Sequence, residues 1–218
     1  MALHRDDVIA AALELLDEVG LERLTTRALT ERLGVAPGAL YWHVRSKREL
    51  LGAMADAVVA PAFAPAAAPA SAAPGEGAPG WAGRTEAFAH RLRGALLGRR
   101  DGARLVSAHL APGAATLGAV EDGLALMRGE GLSPAQAGVL GHAVTSYVIG
   151  FVLQEQSGQG GDGHGGGTAG FDPARYPNLL QWQAEQAGQG GGDAFTAGLA
   201  LLTAGLAAQL GPGVGNAR

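Results

Sequence analysis

Between Leu40 and Arg48 the chain reads Leu-Tyr-Trp-His-Val-Arg-Ser-Lys-Arg. A phenol, an indole and an imidazole stand beside three cations in four residues. Such groups donate hydrogen bonds and charge to anionic oxygens, which suits contact with the phosphates of a nucleic acid. They need a carrier. Leu40 and Val44, spaced i,i+4, are the positions here that a helix would turn inward. Pro37, Gly38 and Ala39 begin the same helix, with proline in the first turn, where its missing N–H does no harm. Upstream, Thr25 can cap a helix bearing Leu29 and Leu33 on one face, and Gly34 supplies a left-handed stop. Two short helices and a tight turn over 25–44 form a unit able to seat one helix in a DNA groove.

This run resembles the helix-turn-helix of the tetracycline repressor (TetR) family, above all in Leu40-Tyr41-Trp42-His43-Val44 with Lys47. Ala11-Ala12-Leu13-Glu14-Leu15-Leu16, Arg100-Asp101-Gly102-Ala103, Gly131-Leu132-Ser133 and the run from Gly150 to Gln156 are similar to the same family. The likeness covers most of the chain, with the first sixty residues strongest. It implies a cytoplasmic, ligand-responsive transcriptional regulator, most simply a repressor. The implied partners are a double-stranded DNA operator of pseudo-palindromic sequence, a small-molecule effector and a second copy of the chain.

By that resemblance Thr26 and Arg27 open the first reading helix, and Arg27 is placed to reach a guanine edge. Tyr41, His43 and Lys47 would hold phosphates, and Trp42 would brace the headpiece or touch the DNA backbone. One departure changes the expected operator. Where tetracycline repressors carry glutamine, proline and threonine, this chain has Pro37, Gly38 and Ala39, which cannot bond adenine in two places. Reading should then rest on Arg27, on contact with thymine methyl groups and on DNA shape. Ala36 is also a poor N-cap.

The resemblance implies an effector pocket with altered chemistry. In the tetracycline repressors a histidine after the Arg-Asp-Gly-Ala motif binds a magnesium–drug complex. That place falls on Val106 without gaps, and a small gap brings His109 close. Polar lining positions of the family fall on Phe88 and Gly123, and an acidic one on Gln154. Magnesium-dependent tetracycline binding is therefore not expected, nor any metal or cofactor. The pocket expected here draws on Phe88, Leu92, Val106, His109, Met127, His142, Tyr147, Phe151, Gln154 and Trp182. That set suits a largely apolar or aromatic ligand.

Composition sets bounds on these readings. The 218 residues suffice for a sizeable core, and the absence of cysteine excludes disulfides and thiolate chemistry. A net charge of −4 argues against a DNA binder only if charge is spread evenly. Residues 1–50 hold seven Arg/Lys and eight Asp/Glu, and six of those acids lie between Asp6 and Glu22. The basic strip from Arg45 to Arg48 is the relevant footprint. No leader or membrane-spanning run is expected, and no membrane partner.

Periodicity predicts an all-α fold. A first helix spans 5–19, with Val8, Ala12, Leu15, Leu16 and Val19 inward, Ile9 and Leu13 beside them, and acids turned to solvent. Ser46-Lys47-Arg48-Glu49 reads as a capping box opening a fourth helix to Val58. Five prolines from Pro61 to Pro79 should prevent a helix, so the domains expected are a headpiece at 1–60, a linker at 61–80 and a helical body at 81–218. In the body, helices are expected near 81–99, 101–110, 114–130, 133–156, 176–187 and 194–210, the fourth opened by Ser133-Pro134-Ala135-Gln136. The helices 133–156 and 194–210 show more apolar surface than one chain covers, which predicts a homodimer through a four-helix bundle.

Other classes are weaker. Gly158 to Gly163 matches a dinucleotide fingerprint in form, yet follows a helix, so a flexible glycine-rich loop over 158–172 is the simpler reading. Lys47 is the sole lysine, so no phosphate-binding loop exists. Ser107 and His109 lack a carboxylate pattern for hydrolysis. An effector-independent DNA-binding scaffold would call for a filled body. An enzyme would need a carboxylate ordered against His109 or His142.

Overall fold

The computed structural model describes residues 3–63, 80–160, 174–186 and 191–210. Among them there are ten helices and no strand. Three form the headpiece: α1 (Arg5–Val19), α2 (Thr26–Leu33) and α3 (Pro37–Tyr41). Then α4 (Lys47–Phe63) leads into α5 (Trp81–Leu97), α6 (Gly102–His109), α7 (Ala114–Gly129), α8 (Pro134–Gly160), α9 (Pro177–Gln186) and α10 (Gly191–Leu210).

Most residues the periodicity picks out close the headpiece: Val8, Ala12, Leu15, Leu16, Leu29, Leu40 and Val44 are buried, while Val19 and Leu33 are half-buried. Leu24, Leu50 and Met54 are buried with them. Removing a leucine of this kind from water is worth about 1.5–3 kcal/mol. Thr25 caps α2 through Ala28 N–H at 3.1 Å, and Gly34 ends it at φ 65. The acids of α1 are not merely solvated. Glu14 and Glu18 grip Arg32 of α2 at 2.9 and 2.8 Å, which locks the first helix across the second.

The fourth helix is the spine of the chain. It packs on α1 in front and on α5, α6 and α7 behind. It does not stop at the first proline, as the composition predicts. It runs through Pro61 to Phe63, with Pro61 facing solvent. Ala62 is fully buried, Phe63 lies 5.0 Å from the Phe88 ring, and Arg91 Nε donates to the Ala62 carbonyl at 3.0 Å. Those contacts outweigh the hydrogen bond that proline removes. The rest of the proposed linker, 64–79, lies outside the described residues.

The body matches its predicted helices to within a few residues at most ends. Ser133 and Gln136 exchange both bonds of the expected capping box, at 3.2 and 2.8 Å. The eighth helix continues into the glycine-rich stretch as far as Gly160; the remainder, 161–173, lies outside the described residues. Pro134–Ser157 is long and apolar enough to span a bilayer by length and composition alone, a test that a core helix also passes. Here it is packed against α5, α6, α7 and α10. Val139 of α8 and Leu201 of α10 remain 67% and 76% exposed.

Candidate functional site

The reading unit is shorter than 25–44 suggests. The third helix ends at Tyr41, and Trp42 and His43 lie in the turn that follows. Val44 N–H still reaches the Leu40 carbonyl at 3.0 Å, but Arg45 N–H turns to the Glu49 carboxylate at 2.9 Å. The capping box of α4 is thus shifted by one. Glu49 N–H donates to Ser46 Oγ at 3.1 Å, while the glutamate reaches back to Arg45 rather than Ser46. Ala36 supplies no side-chain cap to α3, as its identity predicts.

What this geometry presents is an aromatic and cationic face. Trp42 is 89% exposed and Tyr41 53%, so the indole does not brace the headpiece in this structure. Pro37, Gly38 and Lys47 are exposed, while Ala39 and His43 are half-buried. None of Arg45, Lys47 and Arg48 has an ion-pair partner among the described residues. Thr26 is half-buried, and Arg27 donates its Nε to Glu31 at 2.9 Å, one turn on. That bond raises the guanidinium pKa above its ordinary value.

A second basic strip lies behind, where headpiece meets body. Arg99 pairs with Asp17 at 2.6 Å and Arg100 N–H reaches the same carboxylate at 3.0 Å. Arg100 also donates to the Glu18 carbonyl at 2.9 Å, and Arg104 to Glu22 at 3.2 Å. Asp101, held in the left-handed region at φ 54, accepts Leu21 N–H at 2.8 Å. Beneath this turn Gln156 of α8 donates to the Leu96 and Arg99 carbonyls at 3.1 and 2.9 Å and accepts Ala103 N–H at 3.2 Å. A groove of about 500 Å³ opens beside the joint, lined by Leu21, Arg23, Arg100 and Arg104 among others.

The residues expected to line an effector pocket divide in three. Leu92 and Val106 are buried, and Phe88, His109, Met127, Tyr147 and Phe151 are half-buried. His142, Gln154 and Trp182 are exposed on the outside of the protomer, so one copy of the chain does not gather the ten residues together. The expected set omits Phe195, which fills the space between α5, α8 and α10. Its ring lies 5.5 Å from Tyr147, 5.3 Å from Phe151 and 5.2 Å from His90. Arg93 stands over its face at 5.1 Å and is itself paired with Glu155. Tyr147 Oη donates to the Phe195 carbonyl at 2.9 Å, and burial pushes the phenol pKa up against the opposing pull of Arg93. Spacing on α10 marks Phe195 as inward, but not the helix it meets. Ser107 donates to the Arg104 carbonyl and pairs with no base among the described residues.

With this geometry in view, the family models decide the kinship. The one describing bacterial regulatory proteins of the tetR family matches residues 8–54, and the tetracyclin repressor-like C-terminal domain matches residues 73–210.

The chain belongs to the TetR family.

As a TetR-family protein it is a ligand-responsive transcriptional regulator. It is 38% identical over 206 residues to the tetracycline repressor of class A from transposon 1721 of Escherichia coli, covering 94% of this chain and 91% of that one. Among solved structures it is similar to a substituted TetR from Acinetobacter baumannii AYE in complex with minocycline, at 34% identity and TM-score 0.72 over 96% of this chain and 99% of that one. It is also similar to the Streptomyces coelicolor TetR-family protein ActR in complex with (S)-DNPA, at 28% identity and TM-score 0.79 over 96% and 100% of the two chains.

Proposed function

We propose that this TetR-family regulator acts in the cytoplasm as a homodimeric repressor. Its headpieces, residues 1–60, enter successive major grooves about 34–36 Å apart on a pseudo-palindromic operator. The observation that carries this reading is the exposed Tyr41–Trp42 face with Arg45, Lys47 and Arg48 beside it, unpaired among the described residues. Arg27 would read a guanine, Thr26 and His43 would contact the backbone, and Pro37, Gly38 and Ala39 would meet thymine methyl groups. The exposed apolar positions on α8 and α10 are the surface on which two copies would pair.

The effector in this reading is a largely apolar, aromatic small molecule. It would enter beside Tyr147 and Phe151 by displacing Phe195 from their rings. Occupation would shift α4 and with it the headpiece spacing. Complete switching needs roughly 5.5 kcal/mol of preference for the released state. The place of the family's metal-binding histidine falls on the buried Val106 without gaps, or near His109 with a small one, and Phe88, Gly123 and Gln154 replace its polar partners, so tetracycline binding that depends on magnesium is not expected. Calorimetry with tetracycline and magnesium checks that point. Selection of bound fragments from random duplex DNA, followed by a screen for small molecules that release them, tests the whole. A chain that enriches no fragment, or an operator affinity indifferent to every tight ligand of the body, would overturn it.

A further inference from the structure

The start of α7 depends on an acceptor that α7 does not possess. Its N-cap residue is Gly113, which has no side chain to satisfy the first N–H groups of the helix. The acceptor comes from α4 instead. Asp56 Oδ1 accepts Gly113 N–H at 3.0 Å and the Thr116 hydroxyl at 2.6 Å, and Thr116 is buried. A carboxylate at this spot also meets the positive end of the helix dipole.

The two segments approach as closely as their residues permit. A Cβ on Gly113 would lie 2.6 Å from Asp56 Oδ2. One turn earlier on α4, a Cβ on Gly52 would lie 3.3 Å from Ala111 Cβ and 3.4 Å from the His109 carbonyl. Glycine on each side removes the bulk that would hold them apart. The joined helices face different tasks. The first residue of α4 is Lys47 of the exposed basic strip, while α7 sets Leu124 and Met127 against the core of the body.

We propose that Asp56 is the positioning residue that makes the beginning of α7 and the spine α4 move as one unit, so that the state of the body is felt at the DNA face. This rests on the reading of α4 as the carrier of headpiece spacing. Coupling of this kind is reciprocal. If α7 acts on α4, then DNA that fixes α4 must act on α7, and no effector is needed to see it.

The test is amide hydrogen exchange in the first turns of α7, with and without a saturating concentration of the duplex selected by the wild-type chain. Saturation keeps changes in affinity out of the comparison. The duplex should change these exchange rates in wild type by about fivefold or more. In Asp56→Ala, and in the shape-preserving Thr116→Val should the first variant fold poorly, the duplex-induced change is lost or sharply reduced. A merely structural cap gives a different result: faster exchange in the variant, with the same ratio between bound and unbound states. That result overturns the proposal, as does a wild-type chain that binds its duplex with no change in α7. If no duplex is selected at all, the underlying reading of the DNA face fails first and this one with it.

Discussion

Two arginine-rich strips lie about fifty residues apart in this chain and look alike on paper. Arg45 to Arg48 and Arg99 to Arg104 each crowd three cations into a few residues. In the fold they are opposites. Behind, each arginine is answered: Arg99 by Asp17, Arg100 by the Glu18 carbonyl, and Arg104 by Glu22. In front, Arg45, Lys47 and Arg48 stand beside exposed aromatic rings, their charges matched by no carboxylate among the described residues. Charge content does not separate a joint from a contact surface; whether the charges are already satisfied does. A satisfied strip holds the chain to itself, and an unsatisfied one is left for a partner with phosphates.

The sharpest way to break that contrast is to remove the front strip. Replacing Arg45, Lys47 and Arg48 together by alanine should lower operator affinity about 1000-fold or more, since hydrogen bonds to charged groups are worth about 1.5–3 kcal/mol each. The melting temperature should barely move, and fluorescence anisotropy beside a thermal melt reads both. The rear strip should answer in stability instead. Asp101→Ala strands the part-buried Leu21 N–H, and denaturant unfolding should show a loss of about 1–3 kcal/mol. A finer test uses salt. Lys47→Ala should reduce the slope of log affinity against log salt by about 0.9, one phosphate contact, while Arg104→Ala leaves the slope unchanged.

The smallest effect belongs to neither strip and serves as a control on the body. The folded Tyr147 phenol is raised above its ordinary value of 10.0 by burial. Its contribution to stability is therefore complete below that pH and is lost as pH rises through the folded value. Urea melts on the alkaline side should fall with pH in wild type and flatten in Tyr147→Phe.

Much of the front half is legible in the sequence because its determinants are local. Thr25, Gly34 and Pro37 act within a turn of themselves, and the i,i+4 pair Leu40 and Val44 needs only helical periodicity to be placed inward. Determinants that act across the chain are not legible in this way. Nothing near Pro61 announces that Phe63 will find Phe88 and carry α4 past the proline. Gln154 and Gln156 read alike, yet one faces outward and the other clamps the turn between α5 and α6. His142 and Trp182 suit a pocket by residue type alone. For His142, exposure follows from the rotation of α8 against α5, some fifty residues away, which periodicity does not fix in a helix apolar on nearly every side; Trp182 is exposed on the short, mostly polar α9.

The central claim is that paired headpieces dock their unsatisfied strips on one face of duplex DNA. Hydroxyl-radical footprinting on the selected operator, with the number of bound chains measured by light scattering, tests it most directly. The expected result is two chains per duplex and two protected patches on one face, one helical turn or a multiple of it apart. One chain leaving a single patch, or protection that survives loss of Arg45, Lys47 and Arg48, would contradict it.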